Sequence, residues 1–348
     1  MKKVLIILSV LAGSLAALAW TGAWLSTPVT KDAGSFVVAQ GEGTAAIVSR
    51  LKAQGVIRSE LLFKMALAGS GLDKKLQPGT YDLRGAEDFA EIVRRLATGG
   101  IPANEFVLLV KEGWNLNDIK AALVQAGYAE ADKLFFVTGI PATDHRELSS
   151  DKAPRPQDYS TEFPFLEGKP SYVSLEGYLF PDTYRVFKAA TPMELVKVLL
   201  ANFGRKLTPE LRQRIAEKHR TIFDVVTMAS IVEREVKTDE DRRLVADIFW
   251  RRIEKGMPLQ ADSTVNYATG KSQPSVSFED TKTVSRYNTY KYPGLPLGPI
   301  CNPGLASLKA AIDPEPNDYW YFLTDAEGKV HYAATLDEHN RNKARYLK

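Results

Sequence analysis

A glutamate on an apolar helix face is the first group in this sequence that could do chemistry. At about 100° per residue, one side of the segment after Thr221 collects five apolar residues: Ile222, Val225, Val226, Ala229 and Val236. Glu233 falls in the middle of this face, whereas Glu235 points to the polar, solvent side. Burial without a partner raises the pKa of a carboxyl group, and a general acid for glycoside cleavage needs such a group.

The same pattern also fits a structural role. Glu233 could instead form a buried ion pair with a cation such as Arg286 or Lys291, which would hold the core together. The helix pattern alone leaves both interpretations open.

Composition excludes several classes of function. The chain has 348 residues with a net charge of +3 and no basic stripe, so nucleic acid is not an expected partner. The single cysteine, Cys301, cannot form an internal disulfide. The four histidines are scattered, and no Cys/His cluster has metal-ligand spacing, so no metal site is predicted.

The N-terminus predicts export. Residues 4–25 form an uncharged run that would span roughly 33 Å as a helix, about one bilayer core. Lys2 and Lys3 precede the run, which favours a single-pass anchor in the cytoplasmic membrane with the rest of the chain on the outer, periplasmic side. A cleaved signal peptide is the alternative. Residues 26–34 read as a short polar linker.

A weak internal repeat follows the linker. Its unit is strand, helix, helix, strand, helix, and it occurs at 36–97 (the first repeat) and at 106–204 (the second repeat). The segment Gly41-Glu42-Gly43 precedes the first helix of one copy, and Lys111-Glu112-Gly113 precedes that of the other. The closing strands share a signature, Leu76 to Tyr81 and Leu179 to Tyr184. Only the second repeat carries a long polar loop insertion, 140–173.

The first repeat is predicted to be a module of its own, residues 35–104. Its βααβ order resembles a LysM-like module, a class that binds glycans containing N-acetylglucosamine; a structural spacer is the alternative. Residues 105–348 are predicted to form a larger α+β domain. Its last part contains two capped helices, 221–236 and 238–254, a glycine- and proline-rich stretch with little periodicity at 257–304, and a short helix at 305–312. A β-hairpin and a terminal helix end the chain.

Four groups of segments resemble the motifs of one protein family. In chain order they are EGYLFPDTY at 176–184, ASIVERE at 229–235 with GMPLQADSTV at 256–265, YNTY at 287–290 with GLPLGPI at 294–300, and NPG at 302–304 with the following SLKAA. By these motifs the chain resembles the MltG-type endolytic murein transglycosylases, the YceG-like family, over nearly its whole length. It departs at Ser263, where the family usually has proline.

The resemblance implies that Glu233 is the catalytic acid/base of a lyase that cuts peptidoglycan between N-acetylmuramic acid and N-acetylglucosamine. It implies that Gln260, Asp262 and Asn288 lie near the site, where they could bind the glycan or brace loops. Glu176 and Tyr287 are further candidates for the substrate cleft. No metal or organic cofactor is needed, because the muramic acid's own C6 hydroxyl is the nucleophile.

The implied partners are peptidoglycan glycan strands, the inner membrane and peptidoglycan synthases of the penicillin-binding class. Two other functions remain open. A muramidase would use Glu233 with a second carboxylate such as Asp262 to deliver water. A glycan-binding scaffold would need no catalysis at all.

Overall fold

The computed structural model describes residues 27–28, 35–39, 41–73, 75–83, 86, 88–99, 105–273 and 275–347. The predicted membrane anchor, residues 1–25, and most of the 26–34 linker lie outside this part of the chain. Among the helices that are described, none is long and apolar enough to cross a membrane. The described chain is a mixture of helices with three two-stranded sheets, which confirms the α+β class.

The chain divides into two compact units, residues 1–107 and 108–348. The first unit contains β1 (Ser35–Val38), α1 (Thr44–Ala53), α2 (Glu60–Ser70), β2 (Gly79–Asp82) and α3 (Phe89–Thr98). This is the predicted order of strand, helix, helix, strand and helix. The likeness of this unit to a LysM module stays a prediction.

The two strands of the first unit pair antiparallel, with Phe36 opposite Tyr81. Apolar residues of both strands and all three helices form one buried core, in which Phe63 and Phe89 meet edge to face at 5.2 Å. The carboxylate of Glu42 accepts hydrogen bonds from Arg50 Nη1 at 2.8 Å and from the Ala39 amide at 2.9 Å. The carboxylate that precedes α1 is therefore bound within the first repeat.

The second repeat has the same order of elements. They are β3 (Glu105–Val110), in which the boundary between the units falls, α4 (Leu116–Gln125), α5 (Phe135–Thr138), β4 (Asp182–Phe187) and α6 (Pro192–Lys206). β3 pairs with β4. The predicted closing strand began at Leu179, but β4 begins at Asp182. Leu179 and Phe180 are buried outside the strand, and the Leu179 amide donates to Asn302 Oδ1.

The 140–173 insertion has little regular structure beyond a 3₁₀ turn at Pro164–Leu166. Its aromatic residues nevertheless join the core of the second unit: Phe165 packs 5.1 Å from Phe203 of α6, and Tyr159 is buried. The amide of Ala142 also donates to the hydroxyl of Tyr267. The loop is therefore fixed to the rest of its unit at several points.

The remaining elements follow in the order α7 (Pro209–Glu217), α8 (Ile222–Glu235), α9 (Asp239–Glu254), α10 (Asp262–Thr269), α11 (Leu305–Ile312), β5 (Tyr321–Thr324), β6 (Val330–Ala333) and α12 (Leu336–Tyr346). α8, α9 and α11 pack against one another, and β5 and β6 form the predicted antiparallel hairpin. The 257–304 stretch, in which the sequence shows little periodicity, contains one helix that was not predicted, α10.

Candidate active site

Glu233 lies in the last turn of α8. The helix begins with a capping box, in which the Thr221 side chain accepts from the Asp224 amide and the Asp224 side chain accepts from the Thr221 amide. Residues 225–232 are all buried, so the helix is held on several sides. The Glu233 side chain retains only 7% of its exposed surface. The predicted position of this carboxylate against the interior is confirmed.

Two short hydrogen bonds hold the Glu233 carboxylate. The Gly304 amide donates to Oε2 at 3.0 Å, and Ser307 Oγ donates to the same oxygen at 2.7 Å. Gly304 is the N-cap of α11, and an α-helix N-terminus attracts negative charge. The carboxylate therefore sits where the backbone of α11 offers both a donor and a favourable dipole.

The cation beside Glu233 is Arg242 of α9. Its Nη2 lies 3.4 Å from Glu233 Oε1, at the long end of a hydrogen bond, while Nη1 donates to Asp239 at 3.0 Å. The ion-pair alternative named Arg286 and Lys291 as possible partners of Glu233, but the cation in contact with it is Arg242. Because Arg242 is shared between two carboxylates, its attraction is not reserved for Glu233.

The segment before α11 is fixed to α8 and to the turn after β3. The Ile300 amide donates to Ser230 Oγ at 3.0 Å. The Asn302 amide donates to the Trp114 carbonyl at 2.7 Å, and the Gly113 amide donates to the Asn302 carbonyl at 3.0 Å. These contacts hold the start of α11 and the 112–114 turn together around Glu233.

Glu112 is brought to the site by this arrangement. A Cβ built on Gly304 would lie 2.0 Å from Glu112 Oε1, so the carboxyl group of Glu112 occupies the space that a side chain at 304 would need. Burial raises the pKa of Glu112, and the nearby Glu233 raises it further, while Arg242 opposes this. In the sequence, Glu112 stands out only as part of the repeat.

Glu176 is fully buried and joins three segments. Its Oε2 accepts from the Leu116 amide at 3.0 Å and from the Tyr267 hydroxyl at 3.1 Å, and its Oε1 accepts from Asn302 Nδ2 at 3.0 Å. Burial raises the pKa of Glu176 to about 8 despite these donors. Its accessible surface is 0%, so it supports the site from inside rather than facing a cleft.

The prediction for Glu235 was wrong. This carboxylate does not point to solvent: its Oε1 accepts from Ser263 Oγ at 2.6 Å, and burial raises its pKa. The reason is α10, which packs its first turn against the end of α8. Ser263, the residue that departs from the family motif, is thus the direct partner of Glu235.

Gln260 and Asp262 lie beside this contact. Gln260 is exposed and has a φ of 54°, which is strained for a residue other than glycine and is often found at functional sites. Asp262 is the first residue of α10 and does not cap it. Its Oδ1 accepts from the Tyr290 hydroxyl at 2.5 Å and its Oδ2 from the Val276 amide at 3.2 Å, so it braces the following loop.

Asn288 and Tyr287 are buried beneath that loop. Asn288 Nδ2 donates to the carbonyls of Thr281 and Thr283 at 2.9 and 2.8 Å, and its side chain is inaccessible. Tyr287 packs edge to face against Tyr267 at 5.1 Å and is also inaccessible. Both residues shape the loop that carries them, and neither presents a surface to solvent.

Sequence reasoning missed Ser307, Arg242 and Glu112. Ser307 and Gly304 were quoted as parts of a motif, but nothing in local periodicity connects them with Glu233, which lies 74 and 71 residues earlier in the chain. Glu112 had one usable signal, its equivalence with Glu42 in a repeat whose second copy leads into the motif region.

Comparisons with known proteins agree on one family. The model of the YceG-like family matches residues 36–345. An endolytic murein transglycosylase of Bacillus subtilis (strain 168) is 34% identical over 329 residues, which cover 94% of this chain and 89% of that protein. One of Streptococcus pneumoniae serotype 2 (strain D39 / NCTC 7466) is 28% identical over 92% of this chain, which spans 60% of that relative's length.

A solved structure supports the same assignment. The crystal structure of a YceG-like protein from Listeria monocytogenes superposes with a TM-score of 0.57 at 29% identity, over 88% of this chain and 98% of that one. The family match extends over both units and includes Glu112, Glu233 and Gly304. The chain belongs to the YceG-like family.

Proposed function

We propose that this chain is a lyase that acts on peptidoglycan, an endolytic lytic transglycosylase with Glu233 as its acid/base. The names of its relatives in Bacillus subtilis and Streptococcus pneumoniae support the substrate and the class of reaction. The observation that carries the residue assignment is the carboxylate of Glu233, nearly buried at the N-terminus of α11 and held there by Gly304 and Ser307.

The reaction needs two proton transfers. One proton goes to the oxygen of the β-1,4 bond between N-acetylmuramic acid and N-acetylglucosamine, and that bond breaks. Another proton leaves the C6 hydroxyl of the muramic acid as its oxygen closes on C1, which gives a 1,6-anhydro end. Because the nucleophile belongs to the substrate, no water has to be activated, and proximity supplies much of the rate. A carboxyl group can serve both transfers in turn.

Substrate contacts are proposed first for Gln260, since it is exposed and its backbone is strained. Asp262 would act beside it, chiefly by fixing the loop through Tyr290 and Val276. Glu176, Asn288 and Tyr287 are fully buried, and we assign them to positioning: they hold the turns and loops around the cleft.

The wider setting is also proposed. Residues 35–104 would bind glycan as a LysM-like module, and residues 105–348 would cut it. An N-terminal anchor would keep the chain at the cytoplasmic membrane with both parts on the outer side. There the enzyme would cut nascent strands next to the peptidoglycan synthases and so end their elongation.

The test is mass spectrometry of the fragments that the full chain and its Glu233→Gln variant release from purified peptidoglycan. We expect internal fragments with 1,6-anhydromuramic acid ends from the native chain, and at least about a 10²-fold loss with the variant. The Glu254→Gln variant, which changes an exposed carboxylate at the end of α9, is the matched control.

Other products would change the proposal. Reducing ends would mean that the chain is a hydrolase that delivers water. Glycan binding without any cleavage, by both proteins, would favour the scaffold interpretation and overturn the catalytic assignment of Glu233.

A further inference from the structure

Two carboxyl groups flank Gly304. The Gly304 amide binds Glu233 Oε2 at 3.0 Å, and the Glu112 carboxyl group fills the space over the Gly304 Cα, where a built Cβ would lie 2.0 Å from Oε1 and 2.3 Å from Cδ. A Cβ built on Gly113 would lie 3.8 Å from Glu233 Cγ. Glu112 and Glu233 thus approach the same residue from two different elements.

This approach is set by the backbone. The residue after Glu112 donates its amide to Asn302, two residues before Gly304, and Asn302 donates its own amide to Trp114. Asn302 is fully buried, and its side chain also binds the Trp114 carbonyl and Glu176. The backbone position of Glu112 is therefore fixed by this buried hydrogen-bond network.

The surroundings of the two carboxyl groups differ. Glu233 is nearly buried and accepts from Gly304, Ser307 and Arg242. Glu112 is exposed and accepts no hydrogen bond or ion pair from any residue in the described part of the chain. Its equivalent in the first repeat, Glu42, is bound by Arg50 and the Ala39 amide. Glu112 is thus a carboxyl group that lies against Gly304 and has no partner among the residues that the structure describes.

We propose that Glu112 is a second proton-transfer group of this site and that it divides the two transfers of the reaction with Glu233. The inference rests on the proposed function and refines it: Glu233 keeps the base step, and Glu112 takes the acid step. Glu112 is placed to contact the substrate because it is exposed, has no hydrogen-bond or ion-pair partner among the described residues, and lies beside Glu233.

The division of work balances in atoms and charge. The protonated Glu112 carboxyl group gives its proton to the bridging oxygen as the bond from C1 to that oxygen breaks. The C6 oxygen bonds to C1, and its proton passes to the Glu233 carboxylate. One proton has then moved from the C6 hydroxyl to the leaving sugar, and a proton returned from Glu233 to Glu112 through solvent restores the pair.

The assignment of the acid follows from the environments. Although the residue as a whole is exposed, partial burial of its carboxyl group raises the pKa of Glu112. The charges of Glu233 on α8 and Asp239 on α9 raise it further, against the opposing charge of Arg242 on α9. The donors of Gly304 and Ser307 are directed at an oxygen of Glu233 instead. Carboxyl pairs in contrasting environments commonly take opposite roles as acid and base.

The test is the pH profile of turnover on purified peptidoglycan for the full chain and its Glu112→Gln variant. Since the acid must be protonated, native turnover should fall as the pH rises through the pKa of Glu112. We expect Glu112→Gln to lower turnover about 10²-fold and to remove this alkaline decline. Glu112→Asp should keep the decline at an intermediate rate, and Glu254→Gln should match the native profile.

Gly304→Ala provides a second, independent variant. It keeps the amide that binds Glu233 but places a methyl group where the Glu112 carboxyl group lies, so Glu112 must swing away. We expect it to lower turnover as Glu112→Gln does, and we expect the double variant to lose no more than either single one, because both remove the same interaction.

Three results would overturn the inference while leaving the proposed function intact. They are native turnover in Glu112→Gln, an unchanged alkaline decline in that variant, and additive losses in the double variant, each with Glu233→Gln inactive. If the native chain itself yields no anhydro ends, the proposed function fails first.

Discussion

In the first repeat, Glu42 precedes α1 and binds Arg50 and the Ala39 amide, so its carboxylate is satisfied inside its own unit. In the second repeat, the equivalent Glu112 precedes α4 and has no such partner among the described residues; its carboxyl group lies against Gly304, beside Glu233. The same residue at the same point of the chain serves structure in one repeat and is left available in the other.

The two repeats share one structural contact, which we call the frame: a tyrosine of the closing strand bonds to the backbone four residues earlier. Tyr81 and Tyr184 stand at the same place in the two closing strands, and each donates its hydroxyl to the carbonyl of the residue four positions earlier, Gln77 or Phe180. What differs is Glu176, which has no counterpart in the first repeat. Besides the Leu116 amide of its own repeat, it binds Tyr267 and Asn302, which follow the repeat in the chain. The tyrosine contact recurs in both repeats because it is internal to each of them. The second repeat also contacts the segments that follow it, and the candidate active site lies at those contacts.

The largest expected difference between the two repeats is the one between the variants Glu112→Gln and Glu42→Gln. Glu112→Gln should lower turnover about 10²-fold and leave stability nearly unchanged, because Glu112 accepts no hydrogen bond from the described residues. Glu42→Gln should do the reverse: it weakens charged hydrogen bonds to Arg50 and Ala39, which costs about 1–2 kcal/mol, and leaves the turnover of the folded protein unchanged.

The turnover of the two variants and their stability in denaturant titrations are measured, with Glu254→Gln as the common reference. If both variants lose stability alike and neither loses turnover, the two glutamates have the same structural role, and the contrast between the repeats disappears.

The fold was predictable wherever the signals are local. Thr221 with Asp224 marked the start of α8, and the apolar spacing placed its end within one residue of Glu235. The repeat was predictable from the matching segments before its first helices, Gly41-Glu42-Gly43 and Lys111-Glu112-Gly113, and from its closing strands. α10 was missed because its burial depends on contacts with α8 and on the loop that Asp262 braces, none of which leaves a period in the sequence.

The site was predictable only in part, for the same reason. Helix periodicity put Glu233 on the buried face, but it put Glu235 in solvent, because the partner that covers it, Ser263, lies 28 residues away. The donors Gly304 and Ser307 are more distant still. Residue types that could do chemistry can be read from the chain, whereas their partners depend on how distant helices pack.

A second difference between the repeats is Glu176, which has no counterpart in the first repeat. Burial raises its pKa from 4.5 to about 8, so its neutral form is favoured in the folded chain. The resulting stability is fully present below pH 4.5 and is lost as the pH rises towards 8, by up to about 1.4 kcal/mol per pH unit. Glu176→Gln cannot ionise and should lack this decline.

Denaturant titrations of the native chain and Glu176→Gln across this pH window measure the slope. The variant should be less stable at low pH, because its amide nitrogen must face one of the donors from Leu116, Tyr267 or Asn302. Equal slopes in the two proteins would show that the second repeat is not tied to the later segments through a neutral Glu176.

The smallest effect tests the shared frame itself. Tyr81→Phe removes a hydroxyl that donates to the carbonyls of Gln77 and Leu96, and Tyr184→Phe removes one that donates to Phe180 and accepts from Asn202 Nδ2 at 2.9 Å. Each should cost about 1 kcal/mol, the usual net value of such a bond, and neither should change the turnover of the folded protein. Burial raises the pKa of Tyr184 to about 12, so its hydroxyl stays protonated at assay pH and has no part in the proton transfers. Denaturant midpoints and turnover of the two variants are the measurement. A loss of turnover in Tyr184→Phe beyond its loss of stability would mean that the tyrosine contact of the second repeat also contributes to the reaction.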